Sequence, residues 1–442
     1  MSTALSWTEA GRALTDTRAL FAFRSSSVRG KARTYVRIAL AVLLVVTVAA
    51  AWLPAYLPDG DHRRFDVLLL LPSAFFGILL IAAVSGAATG GGRELMPRDQ
   101  AVAYPITPAT DHLGALAMAP LNIAWMIQAW VLLGSVAYAL GASWQLALAQ
   151  VITMLWLAAA TAYAQVFAWA VEWVRRGPHG VWIVRIFNVA VALAAAYLVA
   201  ADQLVHLLDN LKVTLWIVNG AIAVTGNDFV EWGLVALGLL ASTFVAVVVG
   251  AWFAGLVTKR QPRDELKLES APYRPRSNPP SEFTALVRTD RVGIWRSVPL
   301  RRGLVVLGVM PGAVALAGAL EWEMMVILPG LVASGGALLF GVNAWCLDAR
   351  GALWRDSLPA DPRQVFFARA IVLAEVLAFA TMITLVMGAL RAGIPNGTQL
   401  AAVLCASVVV IAQVVSRSLR GRCNGRTPLT CAAPAPLPHR RR

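Results

Sequence analysis

Charged residues are scarce in this sequence, and their scarcity excludes a soluble globular protein. Of the 442 residues, 14% are Asp, Glu, Lys or Arg and 58% are hydrophobic, whereas soluble domains carry roughly 25% charged residues. A soluble core cannot bury so much apolar surface, but a lipid bilayer can. Apolar runs of about 20 residues recur along the whole chain, and each is long enough to cross roughly 30 Å of hydrocarbon as a helix.

The sequence also lacks the motifs of catalysis and cofactor binding. It contains no Gly-x-x-x-x-Gly-Lys-Ser/Thr loop for ATP, since Gly30-Lys31 stands without the rest of the motif. The five histidines fall in different loops, and no apolar run precedes Arg37 that could serve as a cleavable signal peptide. We therefore expect no enzyme active site, no metal and no cofactor on this chain. Four cysteines without metal-type spacing are interpreted as reduced: Cys346, Cys405, Cys423 and Cys431.

Ten apolar segments predict an all-α fold, a polytopic membrane bundle of about ten transmembrane helices. Each segment must be helical, because lipid cannot satisfy unpaired backbone groups. Between the fifth and sixth segments, a leucine stripe over 204–211, with Trp216 nearby, predicts an interfacial helix at the outer leaflet. The predicted spans are Ile38–Leu57, Val67–Ala88, Leu113–Leu140, Trp144–Val171, Val181–Ala201, Val230–Val257, Gly303–Leu320, Met324–Trp345, Phe366–Leu390 and Thr398–Ser416.

The distribution of Lys and Arg predicts the orientation of these spans. With the N-terminus inside, 34 of the 38 basic residues fall on the cytoplasmic side, and only Arg63, Arg64, Lys212 and Arg391 fall outside. Basic residues concentrate on the cytoplasmic side of membrane proteins, so both termini are expected in the cytoplasm. The net charge of +14 then reflects membrane topology, and we expect the lipid bilayer, not nucleic acid, as the partner of these charges.

A polar, proline-rich stretch divides the chain into two halves. We expect a first transmembrane half over 1–258, a cytoplasmic linker with an interfacial segment over 259–302, a second transmembrane half over 303–416 and a basic cytoplasmic tail over 417–442. Six predicted spans precede the linker and four follow it. We interpret this asymmetry as a truncated second half, with a natural ten-span arrangement as the alternative.

The two halves share a pattern in the loop that follows their second span. An acidic residue is followed by two prolines, and the two sets coincide at a constant offset of 254 residues: Glu94, Pro105 and Pro108 with Asp348, Pro359 and Pro362. A basic, partly apolar segment also precedes each half, at 18–24 and at 284–296. These segments are predicted to lie as interfacial helices on the inner leaflet, although two unrelated basic stretches would look the same. The pattern favours two parallel repeats.

These features resemble the membrane subunits of ATP-binding-cassette exporters. The resemblance rests on the loop Arg93–Leu113, on Asn343–Asp348 with Pro359–Pro362, and on Thr289–Gly303. It is closest to the second type of bacterial permease in its fused two-half form, and it extends to about Arg417. It implies a bacterial cytoplasmic (inner) membrane protein with six spans and an elbow helix per half, and substrate passage between the halves. It also implies a separate ATPase subunit, acting as a dimer, that binds the ATP.

In that family the ATPase docks on the cytoplasmic loop between the second and third spans of each half, here 89–112 and 346–365. Both loops carry charges of both signs, which could set the register of a partner. An ordinary solvated loop would also carry such charges. The residues expected to dock are Arg93, Glu94, Arg98, Asp99, Asp348, Arg350, Arg355 and Asp356.

Two polar residues within predicted spans are candidates for the translocation path. Glu375 is the one ionisable residue well inside a predicted span, and a charged carboxyl there costs at least a few kcal/mol. We expect it to be neutral, hydrogen-bonded to a neighbouring helix or facing a polar cavity. Asn122 lies at nearly the corresponding position of the first half. An ion-gradient-driven secondary transporter remains the alternative, but it would require several such carboxylates.

Overall fold

The computed structural model describes helices and their connections in two units. The described residues are 7–26, 31–58, 63–89, 106–200, 203, 212–260, 279–317, 320–340, 344–345, 357 and 360–419. Every regular element within these ranges is helical. The chain divides into Met1–Ser270 and Ala271–Arg442, and this division falls inside the predicted linker 259–302.

The described part of the first unit is built from nine α-helices. They are α1 (Trp7–Ser26), α2 (Lys31–Trp52), α3 (Arg63–Thr89), α4 (Pro108–Met118), α5 (Ile123–Leu140), α6 (Leu146–Arg176), α7 (Gly180–Ala200), α8 (Lys212–Ala223) and α9 (Phe229–Thr258). The long helix α6 lies at the centre, where it packs against α3, α5 and α9. Helix α2 packs against α5, and the N-terminal helix α1 packs against α4.

Indole N–H groups join these apolar helices. Trp156 donates to the carbonyl oxygen of Phe75 at 3.0 Å, which links α6 to α3. Trp130 donates to the hydroxyl of Thr47 at 2.9 Å, which links α5 to α2. An indole buried among apolar side chains needs a hydrogen-bond acceptor, and the helix backbone or a threonine supplies it. Such bonds fix which helix faces meet, because apolar contact alone would allow several orientations of the helices.

The predicted third span is broken in the structure. Helices α4 and α5 meet at the short 3-10 turn Ala119–Leu121 and are bent by 61°. Pro120 lies in this turn, and proline has no N–H to continue the helix. The segment Leu113–Leu140 is therefore a bent pair of helices and not the single straight helix that its length suggests.

Helix α8 is absent from the sequence prediction, which assigned Trp216 to the surroundings of an outer interfacial helix. In the structure α8 continues through the turn Val224–Gly226, and Asn227, with a left-handed φ of 60°, reverses the chain into α9. The two helices pack closely, because a Cβ on Gly238 would lie 2.6 Å from the Trp216 ring. Residues 204–211 lie outside the described part of the chain.

The described part of the second unit is built from six α-helices. They are α10 (Glu282–Arg296), α11 (Val298–Ala317), α12 (Trp322–Met325), α13 (Leu328–Phe340), α14 (Pro362–Ala392) and α15 (Gly397–Leu419). Helix α14 is central and packs against α10, α11, α13 and α15, and α13 also packs against α15. A hydrogen bond of 2.8 Å from the Thr384 hydroxyl to the Gly308 carbonyl joins α14 to α11.

Six described helices are long and apolar enough to cross a membrane, or seven if the bent pair α4–α5 counts as one span. Four shorter apolar helices lie at 180–191, 212–226, 303–316 and 322–337. Large apolar side chains are exposed along α2, including Leu44 and Val45, about two-thirds exposed. Exposed apolar faces of this kind suit contact with lipid. These helices indicate a membrane-embedded protein, and the ten-span arrangement stays a prediction.

Candidate functional site

The eight residues expected to dock an ATPase lie outside the described part of the chain. Arg93, Glu94, Arg98 and Asp99 fall in 90–105, and Asp348, Arg350, Arg355 and Asp356 fall in 346–356. Their role stays a prediction. The structure does describe where each of the two loops joins the helices, and buried polar contacts lie at both junctions.

The second loop begins after a buried tryptophan and ends at a capped helix. Trp345 is fully buried, and its indole N–H donates to the carbonyl oxygen of Leu419, the last residue of α15, at 3.1 Å. At the other end, the Asp361 carboxylate accepts the backbone N–H of Arg363, with Pro362 at the first helical position. This combination favours a sharp helix start. Both ends of the loop are therefore fixed to helices.

Arg369 joins three segments of the second unit at this junction. Its Nε and Nη2 donate to the two carboxylate oxygens of Asp290 on α10, both at 2.7 Å, and its Nη1 donates to the carbonyl oxygen of Ala344 at 2.9 Å. The guanidinium also lies 5.6 Å from the centroid of the Trp345 ring. A planar guanidinium suits this arrangement, because its fork can bind a carboxylate with two N–H groups while a third reaches another acceptor.

The Arg369–Asp290 pair is nearly inaccessible to solvent. The side chains are 3% and 12% exposed, and Ile294, Ala344, Trp345 and Leu419 belong to the apolar cluster in this unit. Losing one partner of a buried pair typically costs about 3–5 kcal/mol, because the other charge is left uncompensated. The contact therefore constrains how α10, α14 and the start of the loop can move relative to one another. We define these residues, Asp290, Ala344, Trp345, Arg369 and Leu419, as the loop junction.

Glu375 is bonded to a neighbouring helix, which is one of the arrangements expected from the sequence. Its carboxylate accepts from Nη2 and Nε of Arg291 on α10, at 2.8 and 3.1 Å. The two side chains are 47% and 48% exposed. Glu375 thus lies at the level of α10 with a positive partner. A place on the translocation path stays a prediction.

Asn122, the other candidate for the path, lies at the break between α4 and α5. Its backbone N–H donates to the carbonyl of Ala119, and its carbonyl accepts from Met126, each near 3.0 Å. The residue has extended backbone geometry (φ −87°, ψ 127°). It therefore marks the bend, where the helix backbone is interrupted, and the residue has further interactions.

The first loop joins its helices through a buried histidine. Thr107 caps α4 by accepting the N–H of Thr110. One turn along, His112 is fully buried, and its Nδ1 accepts the indole N–H of Trp169 on α6 at 3.1 Å. The imidazole lies against Gly250 of α9, where an added Cβ would be 2.3 Å from the ring. Three helices meet at His112.

A charged cluster fixes the ends of α6 and α9 in the same unit. The buried carboxylate of Glu172 pairs with Arg175 and Arg176 at 2.7 and 2.9 Å. Arg176 also donates to the carbonyl oxygens of Val257 and Arg260, each at 3.1 Å. These charges join α6 to the end of α9, and the cluster is suited to hold the helices together.

Sequence reasoning missed Arg369, Asp290 and Glu172. Arg369 was counted with the cytoplasmic charges, although it falls three residues inside the predicted span Phe366–Leu390. That position was the available signal, because a charge within an apolar run is expensive unless it is paired. Its partner could not be predicted, since 79 residues separate Asp290 from Arg369.

The described residues contain no group of three His, Cys, Asp or Glu side chains that could hold a metal ion. Comparison with models of known protein families, with curated proteins and with solved structures finds no match to this chain. Any functional assignment must therefore rest on the sequence pattern and on the contacts described above.

Proposed function

We propose that this chain is the transmembrane permease subunit of an ATP-driven exporter of the ATP-binding-cassette type. It would lie in a bacterial inner membrane with both termini in the cytoplasm, and a separate ATPase dimer would supply the energy. The sequence has no ATP-binding loop of its own, which fits a partner ATPase. Transport would occur by alternating access between two halves, with Glu375 and Asn122 near the path.

The observation that carries the proposal is that several pairs of helices in corresponding positions are in contact in both units. The helix before each half packs against the start of the third span, as α1 does on α4 and α10 does on α14. The first span packs against the third, as α2 does on α5 and α11 does on α14. The second span packs against the third and the fourth in both units. This agreement supports the two parallel repeats that the loop pattern favours.

The junctions at the loops support the same function. A force applied to a docking loop can act on the spans only if the loop is attached firmly to them. The second loop starts at Trp345, which bonds to α15, and beside Arg369 of α14. The first loop ends in a capped helix whose His112 touches α6 and α9.

The alternative of an ion-gradient-driven transporter receives less support. Such a transporter needs carboxylates that take up and release an ion within the membrane. Among the described residues of the spans, Glu375 was the candidate for this role, and it is held by two hydrogen bonds to Arg291. A carboxylate with a fixed positive partner is a poor exchangeable ion site.

Charge reversal in the docking loops tests the proposed function. Glu94→Lys combined with Asp348→Lys should abolish co-purification with the proposed ATPase subunit, or should reduce transport per ATP hydrolysed at least several-fold. Glu321→Lys is the matched control, because Glu321 is exposed and is predicted to lie on the outer side. Folding, judged by gel filtration in detergent, should be unchanged in both. Unchanged association and coupling in the double variant would refute docking at these loops.

A further inference from the structure

The second unit contains a contact that links the predicted docking loop to the helix before the half. Arg369 binds Asp290 of α10 and the carbonyl of Ala344 with different N–H groups of one guanidinium. Ala344 is fully buried and stands directly before the loop residues 346–356. One rigid, planar group therefore contacts both the elbow helix α10 and the chain that starts the loop.

We propose that Arg369 is a positioning residue that carries movement of the second docking loop to α10. The proposal rests on the function proposed above, because it requires an ATPase that moves the loop. Since Arg369 ties Ala344 to Asp290, displacement of the loop start cannot occur without displacement of α10 or rupture of a buried charged contact. The elbow helix then moves together with α14 and does not merely rest on the membrane surface.

Burial and packing make this contact suited to transmit movement of the loop start to α10. The pair is largely shielded from solvent, with 3% exposure at Arg369 and 12% at Asp290, so water competes little for its hydrogen bonds. Ile294 of α10 lies in the same apolar cluster as Trp345. Trp345 in turn bonds to Leu419 at the end of α15. Movement entering at the loop start therefore reaches α10, α14 and α15 together.

The Arg291–Glu375 pair also links α10 to α14, but it has a different character. Both of its side chains are about half exposed, and the side-chain hydrogen bonds described for the pair join Arg291 to Glu375. These bonds hold α10 beside α14 and do not include Ala344. The proposal therefore assigns transmission to Arg369 alone of the two arginines.

The test measures displacement of α10 in the complete complex of the permease and its ATPase. Spin labels are attached at Gly293→Cys on α10 and Gly330→Cys on α13, where an added Cβ meets nothing within 4 Å, after the four native cysteines are replaced by serine. The distance between the labels is compared without nucleotide and after trapping with ATP, Mg²⁺ and vanadate. The wild-type background should show a shift, and Arg369→Met should reduce the shifted fraction at least threefold. Arg417→Met, at an exposed arginine close to Leu419, should leave it unchanged.

A charge swap separates transmission from a merely structural role. Asp290→Arg with Arg369→Asp restores the ion pair between α10 and α14, but an aspartate cannot donate to the Ala344 carbonyl. Thermal stability should recover relative to Arg369→Met while the nucleotide-dependent shift stays lost. Recovery of the shift in the swapped protein would overturn the proposal, as would a normal shift in Arg369→Met.

If Arg369→Met does not fold, Arg369→Lys replaces it, because lysine keeps the charge but has no fork to reach both acceptors. That variant should lose at least half of the shifted fraction, and a full response would refute the proposal. If the unsubstituted background neither binds the ATPase nor responds to nucleotide, the proposed function itself fails, which distinguishes the two failures.

Discussion

Among the four glycines of helix α9, Gly250 and Gly255 have surroundings that predict opposite effects of the same substitution. At Gly250 an added Cβ would lie 2.3 Å from Cε1 and 2.5 Å from Nε2 of His112. At Gly255 an added Cβ meets nothing within 4 Å. Gly250→Ala must therefore displace the imidazole, whereas Gly255→Ala should be accommodated without movement.

Three contributions determine how much Gly250→Ala changes the free energy of unfolding. Overpacking a well-packed site costs about 1–3 kcal/mol. Displacing His112 also breaks the 3.1 Å bond from the Trp169 indole, and leaving a buried donor unpaired costs about 1–3 kcal/mol. Replacing glycine by alanine in a helix returns up to about 1 kcal/mol. Gly250→Ala should therefore destabilise the protein by about 1–5 kcal/mol, and Gly255→Ala should be neutral or stabilising by up to about 1 kcal/mol.

Thermal unfolding in detergent, with the remaining folded protein measured by gel filtration, distinguishes the two variants. A second background with His112→Ala isolates the clash, since the methyl group at 250 then has room. The penalty of Gly250→Ala should fall to near zero there, a coupling of about 1–5 kcal/mol between the two sites. If Gly250→Ala is as stable as Gly255→Ala, or if its penalty persists without the imidazole, the contact among α4, α6 and α9 is wrong.

Two further predictions concern topology and Glu375. Single cysteines introduced near Asp61 and Asp209 should react with an impermeant thiol reagent in whole cells, because both positions are predicted to lie on the outer side, where Lys and Arg are few. A cysteine introduced near Ser277 should not react. The reverse pattern would contradict the predicted orientation. Glu375→Gln keeps a hydrogen-bond acceptor for Arg291 and should retain at least half of the transport rate, whereas Glu375→Leu leaves the arginine unpaired and should lower it several-fold. Wild-type transport in the leucine variant would exclude Glu375 from the path.

Apolar length predicted most of the helices, and two exceptions have identifiable causes. A helix lies within each predicted span, because crossing lipid requires a long apolar run and a helical backbone. Helix α8 was missed because its 12 residues are too few for a span, although Gly226-Asn227-Asp228 is a recognisable turn signal. The bend in the third span was also foreseeable, since Pro120 interrupts an otherwise helical pattern.

The contacts at the loop junction were not accessible to the same reasoning. Asp290 and Arg369 are 79 residues apart, and His112 and Trp169 are 57 apart, so no local spacing relates them. Composition and periodicity report which face of a helix is apolar, but not which partner a buried charge finds. A charge just inside an apolar run can be flagged from sequence, and its partner is known only once the helices are packed.

The start of the third span is fixed in the two units by different chemistry, and this affects how the proposed repeat can be recognised. In the first unit the start of the third span is fixed by neutral contacts of His112, and in the second by the charged contacts of Arg369. At the offset of 254 residues, His112 coincides with Phe366 and Arg369 with Ala115, so matching residues would find neither contact. The prolines coincide because they end loops, a requirement set by backbone geometry. Which helices touch is therefore a better criterion for the proposed repeat than which residues align.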